Sequence, residues 1–167
     1  RVGACLALVH VNPPAAVSAF ERLDAPSLPG DPPAALWRVP SGRIDDVRFD
    51  LFVRLASAGS YEIADRLQQA VAGALGVPVA GAFDGASAPD HVHAINALFC
   101  MGIMALNHKP DYPRAAGLFA LAFAGCRKHT PPPALLWEAR YHEALACRHH
   151  GDGEAVKRIG GELAGAA

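Results

Sequence analysis

The chain has 167 residues, of which 51% are hydrophobic and only 7% aromatic, and its formal net charge is −1. This length suits one domain or one helical array with a buried core. The near-neutral charge excludes a broad electrostatic surface for nucleic acid or an anionic membrane, so we expect neither partner. Alanine supplies much of the apolar share, and this favours an all-α fold because alanine is the strongest helix former.

The first 42 residues are predicted to form one region, an N-terminal helical hairpin followed by a proline-rich loop. Residues 1–11 are apolar nearly all round, and Asn12 is placed to cap a second helix that begins at Pro13. Five prolines between residues 24 and 42 then indicate a loop. The apolar start also fits the remnant of a signal peptide, but it is shorter than the roughly 20 residues that span a bilayer.

Residues 43–167 are predicted to form an array of three helical hairpins. Their turns fall at Gly59, Asp111 and Asp152, and apolar residues recur with a helical period on either side of each turn. A connector rich in glycine and alanine separates the first hairpin from the second, and we expect Phe83 to anchor it. Because no single hairpin can bury its own apolar face, the pattern predicts stacked antiparallel helical hairpins in an all-α fold.

The central hairpin, residues 95–126, carries the clearest packing pattern. Small residues such as Gly102 recur where its two helices would approach closely, and large residues such as Phe119 alternate with them. Its aromatic, small and turn positions match those of a known helical repeat at Phe99, Asp111, Tyr112, Ala115, Phe119 and Ala122. Gly102 lies within one residue of that repeat's close-contact glycine, and Pro131 follows near its usual end.

On these residues the chain resembles the tetratricopeptide-repeat (TPR) family. The resemblance implies a TPR-like α-solenoid whose first helices line a concave groove, and in this family that groove usually binds peptides or proteins. The expected groove residues combine soft apolar side chains with hydrogen-bonding ones. They are Met101, Met104, Asn107, His108, Glu138, Tyr141, His142, Arg148 and His149. The alternative is that several of these side chains pack against a neighbouring helix instead.

Neither catalysis nor metal binding is predicted. Asp45 and Asp46 suit the start of a helix, and no serine or cysteine nucleophile stands in a recognisable motif. Cys126 and His129 have a spacing typical of zinc ligands, but no second pair with matching spacing accompanies them. We therefore expect no enzyme activity of this chain alone, no metal site and no cofactor.

The chain contains four widely spaced cysteines in apolar surroundings, which are Cys5, Cys100, Cys126 and Cys147. We expect them to be buried thiols rather than disulfide partners. Buried thiols are typical of a reducing compartment, and this predicts a cytoplasmic location.

The sequence therefore predicts a scaffold or adaptor, in the manner of a chaperone, that binds a protein or peptide. The alternative is a helical accessory or substrate-recognition domain of a larger enzyme or complex, because a chain that begins at Arg1 rather than at methionine is expected to be processed or to be a piece of a longer one. A helical protein that binds a metal or cofactor is a third and less favoured hypothesis.

Overall fold

A computed structural model describes residues 8–24, 41–78, 83, 86–130 and 132–165. Every regular element in these ranges is an α-helix, which confirms the all-α prediction. In chain order the helices are α1 (Pro13–Asp24), α2 (Ser41–Ser57), α3 (Tyr61–Leu75), α4 (Val92–Asn107), α5 (Tyr112–Cys126), α6 (Leu135–His150) and α7 (Gly153–Ala164).

The chain divides into two compact units, Arg1–Val71 and Ala72–Ala167. The first unit holds α1, α2 and most of α3, and the second holds the end of α3 together with α4 to α7. The predicted regions 1–42 and 43–167 stay a prediction, because much of the proline-rich stretch between α1 and α2 lies outside the described residues.

In the first unit, α1 begins where the sequence predicts. The backbone N–H of Ala15 donates to Oδ1 of Asn12 at 3.2 Å, so the side chain of Asn12 satisfies one of the unpaired donors at the helix start. Helix α1 contacts α2, whose apolar face is buried at Phe49, Phe52 and Leu55. The predicted helix over residues 1–11 lies mostly outside the described residues.

In the second unit, α5 packs against α4, α6 against α5, and α7 against α6. Ring contacts show that α5 and α6 are antiparallel: Tyr112 stacks on His149 at one end of the pair, and Phe123 meets Trp137 at the other. Helix α4 also contacts α6, so α4, α5 and α6 share a common core.

Capping residues fix the two turns of the second unit. The carboxylate of Asp111 accepts a hydrogen bond from the backbone N–H of Arg114 at 3.1 Å, and Asp152 accepts one from Ala155 at 3.0 Å. Gly151 ends α6 in the left-handed region with φ of 87°, a conformation that costs little only in glycine. The predicted turns at Asp111 and Asp152 are therefore confirmed.

The described residues of the connector, which spans residues 76–90, contact α5 at its first turn and the chain just past the end of α5. Nη1 of Arg114 donates to the carbonyl of Pro78 at 2.7 Å, at the first turn of the helix. Past the other end, Nζ of Lys128 donates at 2.5 Å both to the carbonyl of Ala88 and to the carboxylate of Asp90. The connector is thus attached to α5 at both ends within its described residues.

Three of the four cysteines lie inside the second unit. Cys100, Cys126 and Cys147 are buried and reduced, as predicted, whereas Cys5 lies outside the described residues. Burial raises the pKa of both the Cys126 and the Cys147 thiol above its usual value. Among the helices of the described residues, none combines the length and apolar character needed to cross a bilayer.

Candidate protein-interaction surface

Helix α6 presents two large aromatic side chains to solvent. Trp137 is 44% exposed and Tyr141 is 56% exposed, and they lie four positions apart, on the same face of the helix. Arg148 is exposed on this face two turns beyond Tyr141. Glu138, which follows Trp137 in the sequence, is also exposed. These four residues, Trp137, Glu138, Tyr141 and Arg148, are called the α6 surface below.

The α6 surface is supported from beneath by the end of α5. The ring centroid of Phe123 lies 6.2 Å from that of Trp137, and the guanidinium carbon of Arg127 lies 5.9 Å from the Phe123 ring. Arg140, which is buried, places its own guanidinium carbon 4.6 Å from the same ring. Phe123 is thus held between two cations, and it gives Trp137 a fixed apolar neighbour.

His142 occupies the seam between α4, α5 and α6 rather than an open surface. Its ring centroid lies 5.3 Å from Phe99 and 5.4 Å from Phe119, and it is half-buried. Its Nδ1 lies 2.9 Å from the carbonyl oxygen of Glu138, which can only accept, so Nδ1 acts as the donor. His142 is also 5.3 Å from Tyr141, and it therefore supports that side chain more than it offers itself to a partner.

Met101 and Met104 belong to the core. They are 0% and 3% exposed, in contrast to the expectation that they line an open groove. Helix α4 is buried on nearly every side because apolar residues occupy most of its faces, so its methionines have no open side to present. These two methionines therefore pack inside the protein, which is the alternative to lining a groove that the sequence left open.

The remaining predicted residues meet at one end of the second unit. Asn107 and His108 lie where α4 ends, and Arg148 and His149 lie in the last turn of α6. The ring of His149 stacks on Tyr112 at a centroid distance of 5.0 Å, which ties the end of α6 to the start of α5. Asn107 and His149 are exposed and His108 is half-buried, so this end, at which the α6 surface terminates in Arg148, is accessible and polar.

A charge cluster that is buried at Arg140 and Glu143 lies behind the α6 surface, and it joins α6 to the exposed Glu162 of α7. Nη1 of Arg140 donates to Glu143 at 2.5 Å, and its Nη2 donates to Glu162 at 2.6 Å. Burial raises the pKa of Glu143, whereas the hydrogen bond from Arg140 lowers the pKa of Glu162. Burial acts to lower the pKa of Arg140, but its hydrogen bonds to Glu162 and Glu143 outweigh burial and leave that pKa raised. The cluster keeps Arg140 charged and fixed beneath Phe123.

No cluster of metal-ligating side chains accompanies this surface in the part of the chain that the structure describes. Within those ranges, no three His, Cys, Asp or Glu side chains come together in a way that would hold a metal ion. The residues that are brought together there are aromatic, basic and acidic side chains on α5, α6 and α7.

Reasoning from the sequence missed Trp137 and Arg140. The i, i+4 spacing of Trp137 and Tyr141 is a signal that would have paired them on one helix face. Arg140 had no comparable signal, because its main partner Glu162 lies on another helix. Neither a protein-family model, nor a curated protein sequence, nor a solved structure matches this chain.

Proposed function

We propose that this chain is a TPR-like helical array that binds a protein or peptide partner through the α6 surface. The observation that carries the proposal is the exposure of Trp137 and Tyr141 on one face of α6, at 44% and 56%. Exposed aromatic side chains with a polar atom at the tip are enriched where proteins bind one another, because they bury a large area at a small cost in side-chain entropy.

The packing order in the second unit supports the TPR-like part of the proposal. From α4 to α7 each helix packs against the next, and α4 contacts α6, as expected when the first helices of successive hairpins lie side by side. The α6 surface then belongs to the first helix of a hairpin, which is the helix that the TPR resemblance assigns to the groove.

The chemistry of the α6 surface favours a partner segment with apolar side chains and at least one acidic group. Trp137 and Tyr141 offer apolar area, and the exposed Arg148 continues the stripe with a positive charge. Phe123 and Arg127 extend the apolar and basic character towards α5. Because Phe123 contacts Trp137 and is itself contacted by the buried Arg140, little ordering of the surface is needed on binding, and this favours affinity.

The test is site-specific photo-crosslinking in the organism that makes the protein, followed by binding measurements on the identified partner. A photoreactive residue replaces Tyr141 in one protein and Glu154, an exposed residue of α7, in the control. We expect one predominant crosslinked protein from position 141 and not from position 154. Tyr141→Ala and Trp137→Ala should each weaken binding of that protein by at least about tenfold, the scale of an interface hot spot.

The proposal is wrong if the partner captured at position 141 binds the two alanine variants as tightly as the unaltered chain. Circular dichroism of both variants serves as the folding control. Both side chains are substantially exposed, so we expect their helical signal and unfolding temperature to stay close to those of the unaltered protein.

A further inference from the structure

Gly117 of α5 is the floor of a niche that holds an aromatic ring from the connector. A side-chain carbon added to Gly117 would stand 2.4 Å from Cδ2 of Phe83 and 2.7 Å from its Cε2. Carbon atoms that are not bonded to each other pack at about 3.5–4.0 Å, so only glycine lets the ring lie this close to the helix backbone. The niche is therefore shaped for a flat apolar ring, and it lies on a different side of α5 from Phe123 and the α6 surface.

Arg114, one turn before Gly117, forms a polar wall of this niche. The side chain is buried, with 6% of the residue exposed, and its guanidinium carbon lies 5.8 Å from the centroid of the Phe83 ring. Nη1 donates to the carbonyl of Pro78 at 2.7 Å. The buried Nη2 has no hydrogen-bond partner within the described part of the chain.

The connector therefore accepts only some of the hydrogen bonds that the guanidinium of Arg114 can donate. A buried donor left without an acceptor costs about 1–3 kcal/mol, and more when the group is charged. Burial lowers the pKa of Arg114, with the attraction of Asp111 acting in the opposite direction, which indicates that the neighbourhood does not fully compensate its charge. A carboxylate would compensate the charge, because its two oxygens can accept two parallel N–H hydrogen bonds from one guanidinium.

We propose that the Gly117 niche and Arg114 form a binding site for a partner's aromatic residue that carries or adjoins a carboxylate, and that Phe83 occupies the aromatic half of this site from within the chain. The ring of the partner residue lies over Gly117 in place of Phe83, and its carboxylate accepts hydrogen bonds from the Arg114 guanidinium. A peptide that ends in phenylalanine or tyrosine has this chemistry. The site is separate from the α6 surface, and either can exist without the other.

The attachment of the connector allows Phe83 to leave without unfolding the helices. Phe83 is only half-buried, and its backbone carbonyl accepts a hydrogen bond from the backbone N–H of Ala86 at 3.0 Å. Lys128 holds Ala88 and Asp90 independently of the niche. The connector can thus release the ring while it stays fixed near the end of α5.

The experiment uses the full chain and a matched pair of small probes, N-acetyl-L-phenylalanine and its amide. Titrations are followed by NMR at the backbone amide of Gly117 and at the side-chain Nε of Arg114, in the unaltered chain and in Phe83→Ala. We expect the acid to bind Phe83→Ala at least about tenfold more tightly than it binds the unaltered chain, because the niche is vacant in the variant. We also expect it to bind Phe83→Ala at least about tenfold more tightly than the amide does, because only the acid satisfies Arg114.

Two further variants test the two halves of the site. In the Phe83→Ala background, Arg114→Lys should reduce the preference for acid over amide, because lysine cannot form the paired bonds. In the same background, Gly117→Ala should weaken both probes together, because it fills the floor of the niche. If Phe83→Ala does not fold, as judged by circular dichroism, Phe83→Leu replaces it, and the comparison of acid with amide, which does not require a vacant niche, decides the outcome. Equal binding of acid and amide, or no binding of either, overturns the proposal.

Discussion

The ring of Phe119 lies 2.7 Å from the point where a side-chain carbon on Gly102 would stand. Phe119 is fully buried between α4, α5 and α6, so it has no empty space to move into. We expect Gly102→Ala to lower the free energy of unfolding by about 1–3 kcal/mol, because the added methyl overpacks a close helix contact. Urea denaturation followed by circular dichroism measures this change.

Gly160→Ala on α7 is the matched control for this substitution. Gly160 is also a helix-interior glycine, but a carbon added there would meet nothing within 4 Å. We expect the control to raise the free energy of unfolding by about 0.5–1 kcal/mol, since alanine restricts the unfolded chain more than glycine does. The same sign of change in both variants would contradict the close approach of α4 and α5.

Replacing Arg140 should lower the free energy of unfolding more than replacing any exposed charged residue on α7. Arg140→Leu leaves the carboxylate of Glu143, whose side chain is 7% exposed, buried without its cation. Breaking a buried pair from one side costs about 3–5 kcal/mol, and we expect a loss of this order in the free energy of unfolding. The double variant Arg140→Leu/Glu143→Leu should recover much of it, because the uncompensated charge is gone.

Arg158→Ala tests whether the burial of Arg140 accounts for the large loss of stability that is expected when Arg140 is replaced. Arg158 reaches the same Glu162, at 3.4 Å, but its side chain is 58% exposed. We expect the free energy of unfolding to change by only about 0–1 kcal/mol, as is usual when an exposed ion pair is removed. A loss for Arg158→Ala as large as that for Arg140→Leu would show that burial does not set the cost.

Acid should destabilise the packing of α7 against α6, because it protonates Glu162. Its pKa is lowered in the folded chain by the hydrogen bond from Arg140, so the folded state favours the ionised form. This contribution to stability is fully present above the unfolded pKa of about 4.3 and is lost as the pH falls through the lower folded value. The unfolding temperatures of the unaltered chain and Glu162→Gln should differ at pH 7 and converge towards pH 3.

The raised pKa of Glu143 acts with the opposite sign, because acid favours its protonated folded form. Glu143 is present in both proteins of the comparison, so its contribution largely cancels. Glu154→Gln is the control on the same helix: its ion pair with Lys157 is 89% and 78% exposed at the two side chains and should contribute little at any pH. A gap that widens on acidification would contradict the assignment to Glu162.

The buried thiols should resist modification in the folded chain. Burial raises the pKa of Cys126 and Cys147, so each has little reactive thiolate and little access to a reagent. In a Cys5→Ser background, we expect a thiol-specific chromogenic reagent at pH 8 to react slowly until urea unfolds the protein. Ala164→Cys, at an exposed position near the end of α7, provides a fast-reacting reference. Rapid reaction of the native thiols would contradict their burial.

The sequence alone determined the helices of the described residues and their order. Helical periodicity, capping residues and breakers act within one or two turns, so the turns at Asp111 and Asp152 were predicted before any tertiary contact was known. The close approach at Gly102 could also be predicted, because small and large residues alternated along both helices of a single hairpin.

Only the tertiary structure decided which side chains reach solvent and which charges meet. Met101 and Met104 had been predicted to lie on an open face, but their helix is apolar on nearly every side and is covered accordingly. Arg140 meets Glu162 across two helices, and Arg114 meets the connector from 36 positions away in the chain. Such pairings depend on how helices pack rather than on local spacing, and for that reason the α6 surface and the Phe83 niche became visible only in three dimensions.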